Sequence, residues 1–215
     1  MHKSIINLND IKKKLYSKNL NFEPRIIAVS KTFSMNHISP LIENGHIDFG
    51  ENKVQEAIDK WSKIKIQNKD IKLHMIGKLQ TNKVKYAINL FDYIHSLDSS
   101  KLAKKISEEQ NKTKKKLKIF IQINIGNEDQ KSGVRKENLK ELILACSDNN
   151  LDLLGLMCIP PAEKDPSDFF EETMNLNKNF GFRELSMGMS NDYLKACLFH
   201  STYLRIGSSI FGTRV

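Results

Sequence analysis

Long apolar stretches are missing from this 215-residue sequence. Nowhere do about 18 apolar residues run together, so no membrane span is expected. The opening MHKSIINLNDIKKKL lacks the apolar core of a signal peptide. Glycine and proline are scarce, at 10 and 5 residues, which excludes a collagen-like or linker chain. Cysteine is scarcer, with Cys146, Cys158 and Cys197 each in an apolar run. The odd number excludes a closed disulfide framework, and no pair has the C-x-x-C spacing of a metal or redox site. Reduced, buried thiols in a cytoplasmic protein are the expectation, and no metal site. The G-x-G-x-x-G fingerprint of dinucleotide binders is also absent. Arginine is rare: of 34 basic residues only Arg25, Arg135, Arg183, Arg205 and Arg214 are arginine, and 29 are lysine. Readers of nucleic acid lean on arginine. The net charge of +9 therefore reads as scattered surface lysine, and no nucleic-acid partner is expected.

What is present is alternation. Short apolar runs occur at Arg25–Lys31, Ile47–Gly50, Lys72–Gly77, Tyr93–Leu97, Lys118–Ile125, Leu153–Ile159, Glu184–Gly188 and Tyr203–Gly207. Strands buried on both faces have this near-continuous apolar character. Helix-like segments fall between them, over Met35–Asn44, Lys53–Ile66, Thr81–Leu90, Ser99–Lys112, Glu137–Asn149, Ser167–Asn179 and Asp192–Phe199. An extra helix near Asn9–Lys18 precedes the first strand, with Asn9 and Asp10 as its expected cap. Strict alternation predicts a parallel α/β sheet, and eight repeats with no leftover domain predict a closed (β/α)8 barrel of TIM type. The expectation is one domain over residues 1–215, with the barrel proper at about 25–214. An open doubly wound sheet is the alternative. The lysine-rich patch Lys112–Lys118 reads as a solvated helix end.

In a parallel barrel the active face is built at the C-terminal ends of the strands. Lys31 ends the first run. Burial disfavours its charged form, and a neutral amine can condense with a carbonyl. The other reading is a lysine that snorkels to water. The segments Ser186–Asp192 (SMGMSND) and Ser201–Gly212 (STYLRIGSSIFG) follow the seventh and eighth runs. Both are rich in small donor residues, with a helix start expected near Ser190. Loops in these places are the usual phosphate site of barrels. Arg205, two residues before Gly207, would lie below that turn, or would pair with a carboxylate such as Glu184. His74 and His95 read as structural.

Eight ordered motifs then carry a resemblance. They are AVSKT (Ala28–Thr32), FGENKVQEA (Phe49–Ala57), HMIGKLQTNK (His74–Lys83), HSLD (His95–Asp98), QINIGNEDQKSG (Gln122–Gly133), GLMCIPP (Gly155–Pro161), LSMGMSND (Leu185–Asp192) and RIGSSIFG (Arg205–Gly212). The sequence resembles the pyridoxal phosphate homeostasis proteins of the YggS/PROSC group. Their fold is a single barrel similar to the N-terminal domain of alanine racemase. The resemblance implies that Lys31 holds pyridoxal 5′-phosphate (PLP) as a Schiff base. It implies a phosphate on Ser186, Met187, Ser190, Gly207 and Ser208, with Arg205 facing the pyridine nitrogen and Asn52 approaching the ring. Arginine does not give up its proton, so the ring nitrogen would stay unprotonated and carbanion chemistry would be weak. The racemase's added β-domain, with its opposing tyrosine, is not expected here. The protein so implied is a monomeric PLP carrier or regulator with little or no turnover, in transient contact with PLP-dependent apo-enzymes. A PLP-dependent racemase or eliminase, and a cofactor-free Schiff-base aldolase, are the enzyme alternatives. One departure stands out: His200-Ser201-Thr202 replaces the family's Gly-Ser-Thr. His200 is expected to crowd the phosphate turn or to add a donor to it.

Overall fold

The computed structural model describes residues 1–212. The expected end of the barrel at residue 214 lies outside the described residues. Helix α1 (Lys3–Tyr16) comes first. Eight strands follow: β1 (Arg25–Val29), β2 (Asp48–Glu51), β3 (Lys72–Met75), β4 (Tyr93–Leu97), β5 (Lys118–Ile123), β6 (Asp152–Cys158), β7 (Glu184–Ser186) and β8 (Tyr203–Ile206). They close into a parallel barrel in chain order, β8 pairing back onto β1. After each strand comes one helix: α2 (Met35–Glu43), α3 (Val54–Gln67), α4 (Val84–Leu90), α5 (Ser100–Thr113), α6 (Leu139–Asp148), α7 (Ser167–Asn179), α8 (Tyr193–Leu198) and α9 (Ser208–Phe211). The predicted (β/α)8 barrel with an N-terminal helix is therefore the architecture observed.

Several boundaries differ from expectation. Helix α1 begins at Lys3 rather than near Asn9. Its buried positions Ser4, Leu8, Ile11 and Leu15 follow helical spacing, and the His2 side chain caps it by accepting from the Ser4 N–H. Strand β1 stops at Val29, so Lys31 lies in the turn beyond it. The helix expected near Ser190 starts at Tyr193. Helix α9, one turn long, was not foreseen. Its shortness explains α1: that helix packs on α9 and α2, where a longer eighth helix would otherwise lie. The Asn7 amide donates to the Ile210 carbonyl at 2.9 Å and ties the two together. The patch 112–118 is not purely solvated, since Lys115 donates to the carbonyls of Asn89, in the last turn of α4, and Phe91, just past it.

Alternation along the strands divides the buried residues into two sets. Outward-facing residues such as Phe49, Leu73, Met75, Ile94 and Leu204 join the helices in the main core. Phe49 packs on Trp61 of α3 with ring centroids 4.8 Å apart. Burying rings of this size contributes roughly 1.5–3 kcal/mol each. Inward-facing Ile27, Tyr93, Phe120, Met157 and Tyr203 form a separate, smaller cluster inside the barrel. A line of polar side chains lies beside that cluster. No described helix is long and apolar enough to cross a membrane.

Candidate cofactor site

Strand register brings the sequence-predicted residues to one end of the barrel. Val29 of β1 pairs with Gly50 of β2, and Ala28 pairs with Ile206 of β8. Gly207 lies against Val29, since a Cβ there would be 3.4 Å from the Val29 side chain. Lys31 and Asn52 lie in the turns just past the paired ends of β1 and β2. Gly77 fixes Asn52 from the other side, because a Cβ there would lie 2.4 Å from the Asn52 carbonyl oxygen. Only a residue without a side chain permits that approach.

The turn carrying Lys31 is clamped on both sides. The Lys60 ammonium of α3 donates to the Ser30 carbonyl at 2.9 Å, to Glu51 Oε1 at 2.9 Å and to Glu56 Oε1 at 3.0 Å. Glu51 Oε1 also accepts from the Ser30 hydroxyl at 2.7 Å and the Trp61 indole at 2.9 Å. Thr32 has a positive φ of 67°, and its N–H donates to Glu56 Oε1 at 2.6 Å. A left-handed threonine is strained, and this bond holds it in place. Burial tends to raise the Glu56 pKa, but the bonds from Thr32 and Lys60 pull it below the usual carboxylate value. Glu51 and Lys60 were missed in the sequence. The available signal was the Glu56–Lys60 pair four residues apart on a helix; Glu51 fell just past the expected run 47–50.

Loops after β7 and β8 are stitched together by Ser190. Its hydroxyl oxygen accepts from the N–H groups of Gly207 at 3.3 Å and Ser209 at 3.2 Å, and the Ser209 hydroxyl donates to the Ser190 carbonyl. Gly188 permits the chain to turn here, with a φ of 85° and no room for a Cβ against Ala196 and Tyr193. Ser190, Gly207 and Ser208 all reach the surface of the mouth. Ser186 and Met187 do not, being fully buried. The Met187 N–H donates to the Tyr203 carbonyl and the Ser201 hydroxyl. The Ser186 hydroxyl is engaged inside the barrel. The phosphate role expected of these two residues meets no free donor there.

Arg205 lies inside the barrel and is 4% exposed. Its Nη1 donates to the Ser186 carbonyl at 2.6 Å and the Ser186 hydroxyl at 2.7 Å, and its Nη2 to the Cys158 carbonyl at 2.9 Å. The alternative pairing with Glu184 is not seen: among the described residues no carboxylate lies within ion-pair distance of Arg205, and Asp192 acts on it only from further away. Three bonds leave part of its set of five N–H donors uncommitted. Burial lowers the guanidinium pKa.

His74 and His95 are not isolated structural residues. From Ser186 a hydrogen-bonded line runs to His95 Nδ1 at 2.8 Å, from His95 Nε2 to His74 Nδ1 at 3.0 Å, and from His74 Nε2 to Asp48 Oδ1 at 3.0 Å. Burial lowers the pKa of both imidazoles, His95 further because His74 and Arg205 also face it. His200 corrects another expectation. It precedes β8 and packs on Phe22 with ring centroids 5.8 Å apart, at the opposite end of the barrel from the Gly207 turn. It has a φ of 58°, which accounts for a glycine being the easier residue there. A cavity of about 1120 Å³ opens at that same end, lined in part by Phe22, Arg25, His46 and Asp48. Among the described residues no group of His, Cys, Asp and Glu is placed to hold a metal ion.

The geometry defines the class first: a closed, parallel eight-stranded α/β barrel. The profile of the alanine racemase N-terminal domain family matches residues 6–215. The pyridoxal phosphate homeostasis protein of Aquifex aeolicus is 38% identical over 200 residues, covering 88% of this chain and 87% of its own length. That of Buchnera aphidicola subsp. Schizaphis graminum is 37% identical over 227 residues, covering 98% of this chain and 97% of its own. The solved structure of Synechococcus elongatus PipY with PLP bound is 30% identical, with a TM-score of 0.84, covering 93% of this chain and 99% of that one. The chain belongs to the pyridoxal phosphate homeostasis protein family.

Proposed function

We propose that this protein binds PLP at the C-terminal mouth of its barrel and holds it in reserve, with Lys31 Nζ as the point of covalent attachment. The observation that carries this reading is the buried Arg205 guanidinium with no carboxylate partner among the described residues. A buried cation without a paired counter-charge costs several kcal/mol, and Asp192 acts on Arg205 only beyond ion-pair distance. A ligand with an anionic group and a ring lone pair offsets that cost, and PLP has both. The relatives' names and the PLP in PipY support the same reading.

Residue roles follow from their places. Ser190, Gly207 and Ser208 form the phosphate cradle, since Ser190 fixes the two loops against each other. Asn52 flanks the ring from β2, and the Glu51–Lys60–Glu56 clamp sets the direction of the Lys31 stem. Ser186 supports Arg205 and Met187 anchors the loop to the outer core, so neither contacts the phosphate. When bound, PLP supplies an aldehyde that condenses with amines and a ring that takes up electron density. Arg205 keeps its proton and donates a hydrogen bond to the ring nitrogen, which limits that electron uptake. The barrel therefore stores the cofactor and releases it, as a cytoplasmic monomer in passing contact with apo-enzymes that need PLP.

The test is to incubate the purified protein with PLP, reduce with borohydride and locate the pyridoxyl adduct by mass spectrometry. The wild type is expected to be yellow and labelled on Lys31, and Lys31→Ala to be unlabelled. A colourless, unlabelled wild type overturns the proposal. Turnover of an amino-acid panel is expected to match that of free PLP, and faster turnover would favour the racemase or eliminase alternative.

A further inference from the structure

Building on the role given to Arg205, we propose that the interior chain Asp48–His74–His95–Ser186 is a positioning device for that guanidinium, working through two neutral imidazoles that both carry their proton on Nε2. The argument begins at the ends. Arg205 has only donors, and an ionised Asp48 has only acceptors. Between them Ser186 and two histidines must each accept once and donate once. One assignment satisfies every contact. Arg205 Nη1–H donates to Ser186 Oγ, and the Ser186 hydroxyl donates to His95 Nδ1. His95 Nε2–H donates to His74 Nδ1, and His74 Nε2–H donates to Asp48 Oδ1. All the hydrogen bonds then point from the cofactor mouth toward the other end of the barrel.

Packing holds the rings in this arrangement. His74 stacks on Tyr93 with centroids 4.2 Å apart, and His95 stacks on Phe120 at 4.5 Å. Both imidazoles are completely buried, so no water stands in for a lost partner. The charged groups facing them are Asp48, Arg25 and Asp92 around His74 and Arg205 beyond His95, with His46 near the Asp48 end. A proton added to His74 Nδ1 would force His95 to reverse its tautomer. The Ser186 hydroxyl would then lose its only side-chain acceptor, at about 1–3 kcal/mol for a buried group. Because the chain is neutral next to Arg205, it orients the guanidinium without cancelling its charge. A carboxylate at Ser186 would orient it and cancel that charge as well.

Two measurements decide the proposal. The first is NMR of the PLP-free protein labelled with 15N histidine, which does not depend on the cofactor reading. Both buried imidazoles are expected as neutral Nε2–H tautomers across neutral pH. A cationic form or an Nδ1–H tautomer at either ring overturns the chain. The second is the absorption spectrum of bound PLP and its pH profile in Ser186→Ala, His95→Phe and Ser186→Thr proteins. The first two are expected to shift both while Lys31 stays trappable by borohydride, and Ser186→Thr, which keeps the hydroxyl, to restore them. Unshifted spectra overturn the positioning role. If the wild type traps no PLP, the cofactor reading falls, and the NMR result still decides the chain.

Discussion

Two buried polar networks reach the mouth of this barrel, one from each side of its wall. Outside the strands, Glu51, Lys60 and Glu56 clamp the turn that carries Lys31, and they do it with formal charges. Glu51 is fully buried, and its Oε2 has no hydrogen-bond partner among the described residues. Inside the strands, the neutral Ser186, His95 and His74 hold Arg205, and the one carboxylate of that line, Asp48, stands at its far end. The difference teaches how a fold fixes two cations differently. Around Lys31 the charged groups hold the backbone turn, through the Ser30 carbonyl and the Thr32 N–H. At Arg205 the neutral groups hold the side chain, through the Ser186 carbonyl and hydroxyl and the Cys158 carbonyl.

Substitutions that separate the two networks put this contrast at risk. The largest effect is expected for Lys60→Met, which strands the Glu51 carboxylate inside the wall. Breaking a buried pair from one side costs about 3–5 kcal/mol, read by urea unfolding. A loss below about 1 kcal/mol would show that the pair does not act as a clamp. His95→Phe keeps the stack on Phe120 but cuts the interior chain, at an expected cost of about 1–3 kcal/mol. A loss as large as that of Lys60→Met would mean that the interior chain carries a charge after all.

Acid sharpens the comparison further. The His46 imidazole donates to the Asp48 carbonyl at 2.9 Å, and burial lowers its pKa to about 4. The unfolded chain takes up this proton near pH 6.5 and the folded chain only near 4, so the unfolded state binds more protons in between. Stability is therefore expected to fall as pH drops through that window. The buried His74 and His95 add to the fall with the same sign. In His46→Gln the slope should be shallower, and an unchanged slope would remove His46 from the account. The smallest effect is expected at a site remote from both networks. His200→Gly relieves a left-handed residue and should raise stability by about 0.5–1 kcal/mol without changing PLP trapping.

Where several of the expected residues fall along the barrel was legible without coordinates. Lys31, Asn52, Ser190, Gly207 and Ser208 sit at strand ends or in the turns just beyond them, and strand ends are visible as the limits of apolar runs. The inward turn of Ser186 and the burial of Met187 were harder to read, because sequence does not say which way a residue next to a turn points. His74 and His95 looked like ordinary strand histidines, and Glu51 drew no reading at all. Nothing local distinguishes an acid that faces a loop from one that faces a helix lysine.

The sequence by itself determined the alternation of eight strands and helices, the small-residue turns and the lysine just past the first strand. All of these rest on local spacing and on residue type. Only the tertiary structure decided which polar side chains meet inside. Asp48 and His74 are 26 residues apart, and His95 and Ser186 are 91 apart. Closing the barrel turns every second strand residue inward, where contact depends on height and strand order and not on distance along the chain.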